Sequence, residues 1–407
     1  MLDETHDPSL RSWVESANRP DADFPIQNLP FATFRRPEAE NPVLGVAIGD
    51  QVLDVTEAFG IDSIETLMSA PRGRRAELRR RISRFLSRPS SAAETMLTPM
   101  ASAELLLPCE IRDYTDFYAS IHHATNVGRM FRPDSPLLPN YKWLPVAYHG
   151  RASSVVVSGT PVRRPWGQTA ENPAGPPIYG PSRRLDYELE LGMFTGPGNA
   201  IGEPIPMDHA AGHMVGVCLL NDWSARDIQT WEYQPLGPFL SKSFATSISP
   251  WVVTMEALEP FRCAGESRPE SDPQPLPHLS PGAADAFDIT LEAWLRSARM
   301  QEPMRVSRSN VSSLYWTLAQ MVTHHSSNGC PMRTGGLIGS GTVSGPGKEN
   351  RGCLLEMTWR GTEPLELPTG EVRRFLEDGD EVILRGWCEA PGFRRIGLGD
   401  CRGVITG

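Results

Sequence analysis

The sequence after Pro108 consists of short apolar runs that glycine and proline interrupt repeatedly. The 407 residues include 38 prolines and 36 glycines, and this punctuation disfavours a regular alternation of strands and helices. We therefore predict a β-rich chain, mainly β with some α, and a domain boundary near residues 105–115. Before that boundary, residues 43–48 and 52–55 predict a hairpin, because the turn pair Gly49-Asp50 separates two apolar runs.

Residues 71–89 predict one amphipathic helix that is rich in arginine. Leu78, Ile82 and Leu86 recur at helical spacing, and arginines fill most of the remaining positions. The net charge of −10 and the pI near 5.5 disfavour nucleic acid or an anionic membrane as a partner. We therefore interpret the arginines as an ordinary solvated helix face, and a small molecule is the expected ligand.

Cysteine spacing and hydropathy bear on the compartment. The seven cysteines have no C-x-x-C spacing, which predicts reduced, mostly buried thiols rather than disulfides or a zinc site. No run approaches the ~20 apolar residues of a membrane span, so a soluble cytoplasmic protein is expected. Residues 262–286 contain five prolines and predict an exposed loop.

Acidic and apolar residues alternate over residues 185–191, Leu-Asp-Tyr-Glu-Leu-Glu-Leu. A β-strand over this segment would place Asp186, Glu188 and Glu190 on one face. If water is excluded from that face, the crowded carboxylates predict a bound cation. The solvated outer face of a half-buried strand gives the same pattern, and the segment alone does not decide between the two.

Residues 113–123 are dense in ionisable groups. As a helix, they would set Asp116 and His123 seven residues apart on one face, where an acid and a base could line one cavity. A helix-terminal acid and a surface histidine would give the same sequence. Taken alone, the segment favours this plainer interpretation.

Residues 214–220 predict a buried strand that leads to Asp222, with Ser224 as the cap of a short helix. The residues that would share one polar face of this helix are Arg226, Gln229 and Tyr233. Such a face could bind an anionic, oxygen-rich molecule, and a helix surface tied down by ordinary hydrogen bonds is an equal alternative.

Two further charged residues have unusual neighbours. Residues 355–359 resemble a strand, so Glu356 could face solvent or orient a catalytic base, and without a fold the pattern favours solvent. Lys242 is a lone cation among serines and apolar residues. Burial near acids would explain it, although a lysine on an edge strand is the commoner case.

Taken together, these segments resemble the fumarylacetoacetase family over nearly the whole chain. The motifs that carry the resemblance are residues 23–30 (DFPIQNLP), 113–118 (DYTDFY), 123–128 (HATNVG), 148–154 (YHGRASS), 221–229 (NDWSARDIQ), 235–240 (PLGPFL) and 340–346 (SGTVSGP). The resemblance implies an SH3-like β-barrel over residues 1–110, a larger catalytic β-roll domain over residues 111–407, and a homodimer. His122 and the long 262–286 loop depart from the family pattern without touching a matched position.

The resemblance also implies a metal site. The residues that match the cation-binding carboxylates are Asp116, Glu188, Glu190 and Asp222, and Lys242 and Thr246 match positions beside the ion. Oxygen ligands suit Mg²⁺ or Ca²⁺. Asp186 matches no ligand position.

The catalytic and substrate-binding positions are matched in the same way. His123 matches the general base and Glu356 the acid that orients it, while Arg226, Gln229 and Lys242 match groups beside the reacting oxygens. The residues that match substrate contacts are Tyr118, Arg132, Tyr148, Gln229, Tyr233 and Thr342.

The implied activity is metal-dependent hydrolysis of a carbon–carbon bond in 4-fumarylacetoacetate, which gives fumarate and acetoacetate at the end of tyrosine and phenylalanine breakdown. Hydrolysis of a related diketo acid, such as an acylpyruvate, is the alternative, since one fold can support several such reactions. The His123 and Glu356 pair and the extended amino-terminal domain favour the first activity. A binding protein without catalysis would show an altered base or a missing ligand, and the sequence shows neither.

Overall fold

The structure is a computed structural model that describes residues 2–89, 91–170, 172 and 174–407. Its first sheet is formed by β1 (Phe31–Arg35), β2 (Val43–Ile48), β3 (Gln51–Asp54), β4 (Leu97–Pro99) and β5 (Glu104–Leu105), in the order β4-β3-β2-β1-β5. Strands β2 and β3 form the predicted hairpin. At its turn Gly49 has a φ of 58°, and a Cβ there would lie 2.3 Å from the Ser16 hydroxyl, so the turn requires glycine.

The helices of this region are α1 (Val55–Phe59), α2 (Ile64–Ser69), α3 (Arg72–Leu86) and α4 (Ser91–Thr95). Helix α3 is the predicted amphipathic helix, and it buries Leu78, Ile82 and Leu86. The prediction of a solvated arginine face is wrong for Arg75 and Arg79, which are only 2% and 4% exposed, whereas Arg74, Arg81 and Arg84 are exposed.

The two buried arginines attach α3 to its surroundings. Arg75 Nε donates to Glu256 Oε1 at 3.3 Å, and Arg79 donates to the Asn28 carbonyl at 2.6 Å and to Thr5 Oγ1 at 2.9 Å. A buried guanidinium is costly unless it is paired. These arginines are therefore structural anchors rather than a solvated surface.

The strands that follow are β6 (Tyr114–Phe117), β7 (Ala147–His149), β8 (Val155–Val157), β9 (Val162–Arg163), β10 (Trp166–Thr169), β11 (Ile178–Pro181), β12 (Leu185–Asp186), β13 (Leu189–Thr195), β14 (Met214–Asp222), β15 (Ser224–Ala225), β16 (Thr246–Ile248), β17 (Val253–Thr254), β18 (Arg262–Cys263), β19 (Ala286–Phe287), β20 (Thr290–Arg296), β21 (Met304–Asn310), β22 (Leu337–Gly339), β23 (Leu365–Glu366), β24 (Val372–Arg373), β25 (Glu381–Cys388) and β26 (Ile396–Thr406). The helices are α5 (Ile121–Phe131), α6 (Met207–His213), α7 (Arg226–Glu232), α8 (Leu318–Ser326) and α9 (Leu354–Met357). With 28% of residues in strands and 23% in helices, the structure confirms the β-rich prediction.

Two sheets form the centre of this region. The larger has the order β7-β6-β22-β13-β14-β16-β8, with β17 added to β14, and the other has the order β21-β20-β25-β26-β9. Leu219 on β14, Leu291 on β20 and Leu384 on β25 belong to one buried core between the sheets. The predicted strand over 214–220 is confirmed, and it continues to Asp222. The SH3-like barrel and the boundary at residue 110 stay predictions.

The proline-rich segment 262–286 is more firmly anchored than an exposed loop. Its ends are closed by the pairing of β18 with β19, and most of its residues are exposed. Asp272 and Leu279, however, are buried. The prediction of an exposed loop is therefore only partly confirmed.

All seven cysteines are free thiols, and five of them are buried. Free, mostly buried thiols match the prediction made from their spacing. Among the described residues, no helix combines the length and the hydropathy needed to cross a membrane.

Candidate metal and active site

Four acids from separate parts of the chain converge at one edge of the large sheet. They are Asp116 on β6, Glu188 before β13, Glu190 on β13 and Asp222 at the end of β14. One oxygen of each lies within 4.8 Å of those of the others, and none of the four residues is more than 5% exposed. The interpretation of this acidic pattern as a solvated strand face is therefore wrong.

Strand pairing explains why these acids meet. β22 lies between β6 and β13, with Gly339 opposite both Asp116 and Gly192. A Cβ on Gly339 would lie 2.5 Å from Asp116 Oδ1 and 3.0 Å from Glu190 Oε2, so glycine leaves room for both carboxylates. β14 pairs with β13 on the side away from β22, and this pairing brings Asp222 to the same edge.

The predicted continuous strand over residues 185–191 is interrupted. β12 ends at Asp186 and pairs with β15, while β13 begins at Leu189 in a different sheet. The intervening Tyr187 and Glu188 break the two-residue alternation, so Asp186 does not share a face with Glu190. Asp186 is instead bound to Arg226.

The electrostatics of the acid cluster favour a cation. Burial, and next the charges of neighbouring acids, raise the pKa of Asp116 and of Glu190 well above the usual values. Glu190 Oε1 is buried and accepts no hydrogen bond from the described residues. A hard divalent cation is the group that these oxygens fit.

Lys242 partly balances this charge. Its Nζ lies 2.5 Å from Asp222 Oδ2 and also contacts Glu188. Lys242 is therefore buried near acids, which is one of the two alternatives that the sequence left open. Burial alone would raise the pKa of Glu188, but Lys242 and Arg226 outweigh that effect and lower it. Asp222 also accepts hydrogen bonds from Tyr148 (2.7 Å) and Thr246 (3.2 Å).

His123 and Glu356 form a buried pair beside the cluster. His123 Nδ1 lies 2.6 Å from Glu356 Oε2, and both residues are at most 2% exposed. Asn126 donates to Glu356 Oε1 and Ser344 to Oε2, each at 2.8 Å. Burial alone would raise the pKa of Glu356, but His123 and these hydrogen bonds lower it to about 2. The solvent-facing interpretation of Glu356 is wrong.

Two local predictions around this pair are also wrong. Residues 114–117 form β6, and the helix begins only at Ile121, with Ser120 as its cap. His123 therefore stands in the first turn of α5, separate from Asp116 on β6. Glu356 lies on the short helix α9 rather than on a strand. Asn126, three residues after His123 on α5, could have been found from helical spacing.

Helix α7 presents the predicted polar face. Arg226 Nη1 donates to Gln229 Oε1 at 3.1 Å, and Nη2 lies 2.8 Å from Glu188 Oε1. Tyr233 follows the helix as its C-cap. The predicted cap Ser224 is wrong, since that residue lies on β15 and Ala225 holds the cap position without a side-chain bond.

These residues surround a cavity of about 450 Å³. The predicted site residues that line it are Asp116, Tyr118, His123, Arg132, Tyr148, Glu188, Glu190, Arg226, Gln229, Tyr233, Lys242 and Thr342. Asp222, Thr246 and Glu356 are buried behind this layer. Arg184 and Arg360 also line the cavity, and sequence reasoning missed both because no local pattern marks them.

The comparisons with known proteins decide the family. Residues 27–108 match the family described as fumarylacetoacetase N-terminal, and residues 113–406 match fumarylacetoacetate (FAA) hydrolase C-terminal. The chain belongs to the fumarylacetoacetate hydrolase family. This finding confirms the resemblance seen in the sequence motifs.

Relatives named fumarylacetoacetase match over almost their full length. The relative from Bos taurus is 48% identical over 95% of this chain and 96% of its own, and the one from Homo sapiens is 47% identical with the same coverage. The relative from Oryza sativa subsp. japonica is 45% identical, with 97% of each chain covered.

Solved structures share the fold at lower identity. A fumarylacetoacetate hydrolase from psychrophilic Exiguobacterium antarcticum superposes with a TM-score of 0.54 at 16% identity, covering 93% of this chain and 99% of its own. A maleylpyruvate hydrolase from a Sphingobium species gives a TM-score of 0.51 at 16% identity, with the same coverage. At such identity the likeness concerns the fold alone.

Proposed function

We propose that this chain hydrolyses the carbon–carbon bond of the β-diketone 4-fumarylacetoacetate and releases fumarate and acetoacetate, as the last step of tyrosine and phenylalanine breakdown. The observation that carries the proposal is the full-length match, at 44–48% identity, to relatives named fumarylacetoacetase. The buried His123 and Glu356 pair beside four clustered acids supports it.

The cavity has the charge and shape for an anionic diketone. Its basic lining residues are Arg132, Arg184, Arg226, Lys242 and Arg360, and its apolar ones include Val127, Leu355 and Phe375. Guanidinium groups suit carboxylates, and 4-fumarylacetoacetate carries one at each end. Thr342 Oγ1 is buried and has no hydrogen-bond partner in the described part of the chain, which supports its proposed substrate contact.

The chemistry requires a carbanion that leaves readily. In a β-diketone the negative charge spreads onto an enolate oxygen, so the bond between the two acyl parts can break. A divalent cation held by Asp116, Glu188, Glu190 and Asp222 would supply a Lewis acid for that charge. Arg226, Gln229 and Lys242 line the same space, where they can donate hydrogen bonds as charge develops.

His123 is suited to activate water. Its Nε2 lies 3.9 Å from Glu188 Oε1 at the cavity, while its Nδ1 is bound to Glu356. Nε2 takes a proton from water as the water oxygen attacks the carbonyl carbon, and the ionised Glu356 balances the imidazolium. The adduct then collapses, the electron pair of the broken bond passes to the enolate of acetoacetate, and protonation releases both products.

The cation is Mg²⁺ or Ca²⁺ under this proposal, because a set of carboxylate oxygens suits both ions. Lys242 and Thr246 lie beside it, through their contacts with Asp222. Free, mostly buried thiols suit the reducing cytoplasm, where we place the protein.

We also propose a homodimer. Hairpin β10–β11 exposes Trp166, Ile178 and Tyr179, and the segment after α7 exposes Leu236 and Phe239 by 96% and 68%. Large exposed apolar side chains are typical of interfaces. Sedimentation should give twice the 44.9 kDa mass, and replacing Trp166 and Tyr179 by serine should weaken the association.

A direct substrate comparison tests the activity. Purified protein supplied with 4-fumarylacetoacetate or with an acylpyruvate is followed through loss of the diketone absorbance, with products identified by chromatography. We expect fumarate and acetoacetate in equal amounts and slower hydrolysis of the acylpyruvate. Hydrolysis of acylpyruvate alone would contradict the proposal and favour the alternative activity.

A further inference from the structure

Asp186 is a buried carboxylate that the proposed mechanism leaves without a role. Its side chain is 0% exposed and accepts four hydrogen bonds. The backbone N–H groups of Tyr187 (2.9 Å) and Leu354 (2.8 Å) donate to Oδ1. Leu355 N–H (3.0 Å) and Arg226 Nε (2.9 Å) donate to Oδ2. Asp186 belongs neither to the acid cluster nor to the cavity lining.

Two of these donors start the helix that carries Glu356. Leu354 and Leu355 are the first residues of α9, and Cys353 at the N-cap position makes no side-chain cap. The first N–H groups of a helix find no partner within it. Asp186, 168 residues before Leu354 in the chain, supplies the missing acceptors. It thereby holds the first turn of α9 in place up to Leu355, the residue before Glu356.

The fourth donor is Arg226, whose guanidinium faces the acid cluster. Its Nε is held by Asp186, while Nη2 lies 2.8 Å from Glu188 Oε1 and Nη1 donates to Gln229. A guanidinium is planar, so a bond at Nε helps to fix the direction of both Nη groups. The hydrogen bond from Arg226 Nε to Asp186 therefore orients the guanidinium group of Arg226, a residue that lines the cavity.

We infer that Asp186 is a positioning residue for the proposed hydrolysis. The Asp186 carboxylate is hydrogen-bonded both to α9 and to Arg226. Helix α9 places Glu356 behind the base His123, and Arg226 donates beside the reacting oxygens. The inference rests on the proposed function. It predicts that Asp186 affects turnover through these two groups without taking part in cation binding.

The test is Asp186→Asn, which keeps the side-chain shape but replaces one acceptor oxygen by a donor. At the Oδ1 position that donor faces the N–H groups of Tyr187 and Leu354, and at the Oδ2 position it faces Leu355 N–H and Arg226 Nε. In either orientation it opposes an N–H group of α9, so α9 moves, and in the second orientation Arg226 moves as well. We expect kcat on 4-fumarylacetoacetate to fall about 10²-fold, the loss that a displacement of ~1 Å can cause. KM and the dissociation constant for Ca²⁺, measured by calorimetry, should stay close to wild-type values.

Asp380→Asn is the matched control. Asp380 is also 0% exposed and is paired with a buried arginine, accepting from Arg373 Nε at 2.8 Å and Nη2 at 3.0 Å. It lies just before β25, outside the residues that line the cavity. Asp380→Asn should lower the melting temperature as Asp186→Asn does, yet keep wild-type kcat.

A second variant covers a failure of Asp186→Asn to fold. Asp186→Glu keeps the charge and shifts it by one methylene, so the protein should fold, as circular dichroism would show, and kcat should be reduced. Wild-type kcat in either folded variant, or an equal loss of kcat in Asp380→Asn, would overturn the inference. An inactive wild type would overturn the proposed function and this inference together.

Discussion

At the scale of single residues, the buried pair of His123 and Glu356 links protonation to the stability of the fold and, under the proposed function, to catalysis. Glu356 accepts hydrogen bonds from Asn126 and Ser344 in addition to its contact with His123, and its pKa is about 2. It therefore stays ionised at neutral pH. The family resemblance assigned both residues, but a contact over 233 positions was beyond any local pattern.

Replacing His123 by alanine should lower kcat by about 10²–10⁴-fold, the usual contribution of a general base. Steady-state assays on 4-fumarylacetoacetate measure the loss. His122→Ala is the matched control, because this neighbouring histidine contacts Glu266 at 3.2 Å and does not line the cavity. A His123→Ala protein with ordinary turnover would refute the role of His123 as base.

The depressed pKa of Glu356 predicts a pH-dependent stability. The group has an ordinary pKa of 4.5 and a folded value of about 2, so the ionised form stabilises the fold fully above pH 4.5. This stabilisation is lost as the pH falls from 4.5 towards 2. Urea unfolding of wild type and Glu356→Gln should show a difference in unfolding free energy that shrinks over this window. A difference that stays constant with pH would contradict the assignment.

Glu190 provides a test of the metal site that does not depend on turnover. Glu190→Gln should weaken Ca²⁺ binding more than about 10-fold, because one carboxylate of four is lost and even supporting residues affect affinity by 10–100-fold. Calorimetric titration of the chelator-treated protein with Ca²⁺ measures the affinity of each variant. Glu292→Gln is the control, since Glu292 is buried on β20 and paired with Arg305 away from the cluster. Equal affinities in the two variants would remove Glu190 from the site.

At the scale of elements, the loop over residues 262–286 supports one wall of the candidate active site. The Arg268 guanidinium lies 4.1 Å from the Tyr315 ring centre and 4.4 Å from that of Trp316, and Nη1 donates to the Lys142 carbonyl at 3.1 Å. Trp316 Nε1 donates to the Tyr141 carbonyl at 3.1 Å. The loop is therefore packed against the segment that leads to the cavity residues 146–148.

Arg268→Ala should lower the unfolding free energy by about 2 kcal/mol, through lost cation–π contacts and hydrogen bonds. Tyr141 donates to the Tyr118 carbonyl, and the Tyr118 and His123 rings are 5.1 Å apart, so a rise in KM should accompany the loss. Denaturant unfolding and steady-state assays measure the two effects. Glu270→Ala, at an exposed position of the same loop, should change neither. Wild-type stability in Arg268→Ala would mean that the loop does not support this wall.

Elements with a strong local period were predictable, and those set by distant contacts were not. Helix α3 and strand β14 follow from the spacing of their apolar residues. The break between β12 and β13 does not, because Asp186 turns toward Arg226 and α9. Helix α9 spans only four residues, which is too short to show a helical period. The buried roles of Arg75 and Arg79 were hidden for a similar reason, since their partners lie at residues 5–28 and at Glu256.

At the scale of the whole molecule, the site is assembled from segments that the sequence keeps far apart. Asp116 and Asp222 come from different strands of the large sheet, and His123 and Glu356 come from helices α5 and α9. Composition and periodicity could indicate β-rich structure and acidic clustering. Only the family resemblance added Asp116 and Asp222 to the acids of one cation, and the fold shows that the oxygens of all four acids lie close enough to share it.

Under the proposed function, four converging acids hold one divalent cation that hydrolysis of 4-fumarylacetoacetate requires. The most direct measurement follows loss of the diketone absorbance with protein treated with a chelator and then titrated with Mg²⁺ or Ca²⁺. We predict that chelation abolishes turnover and that one equivalent of cation per chain restores it. Undiminished turnover by protein shown to be free of metal would contradict this requirement for a cation.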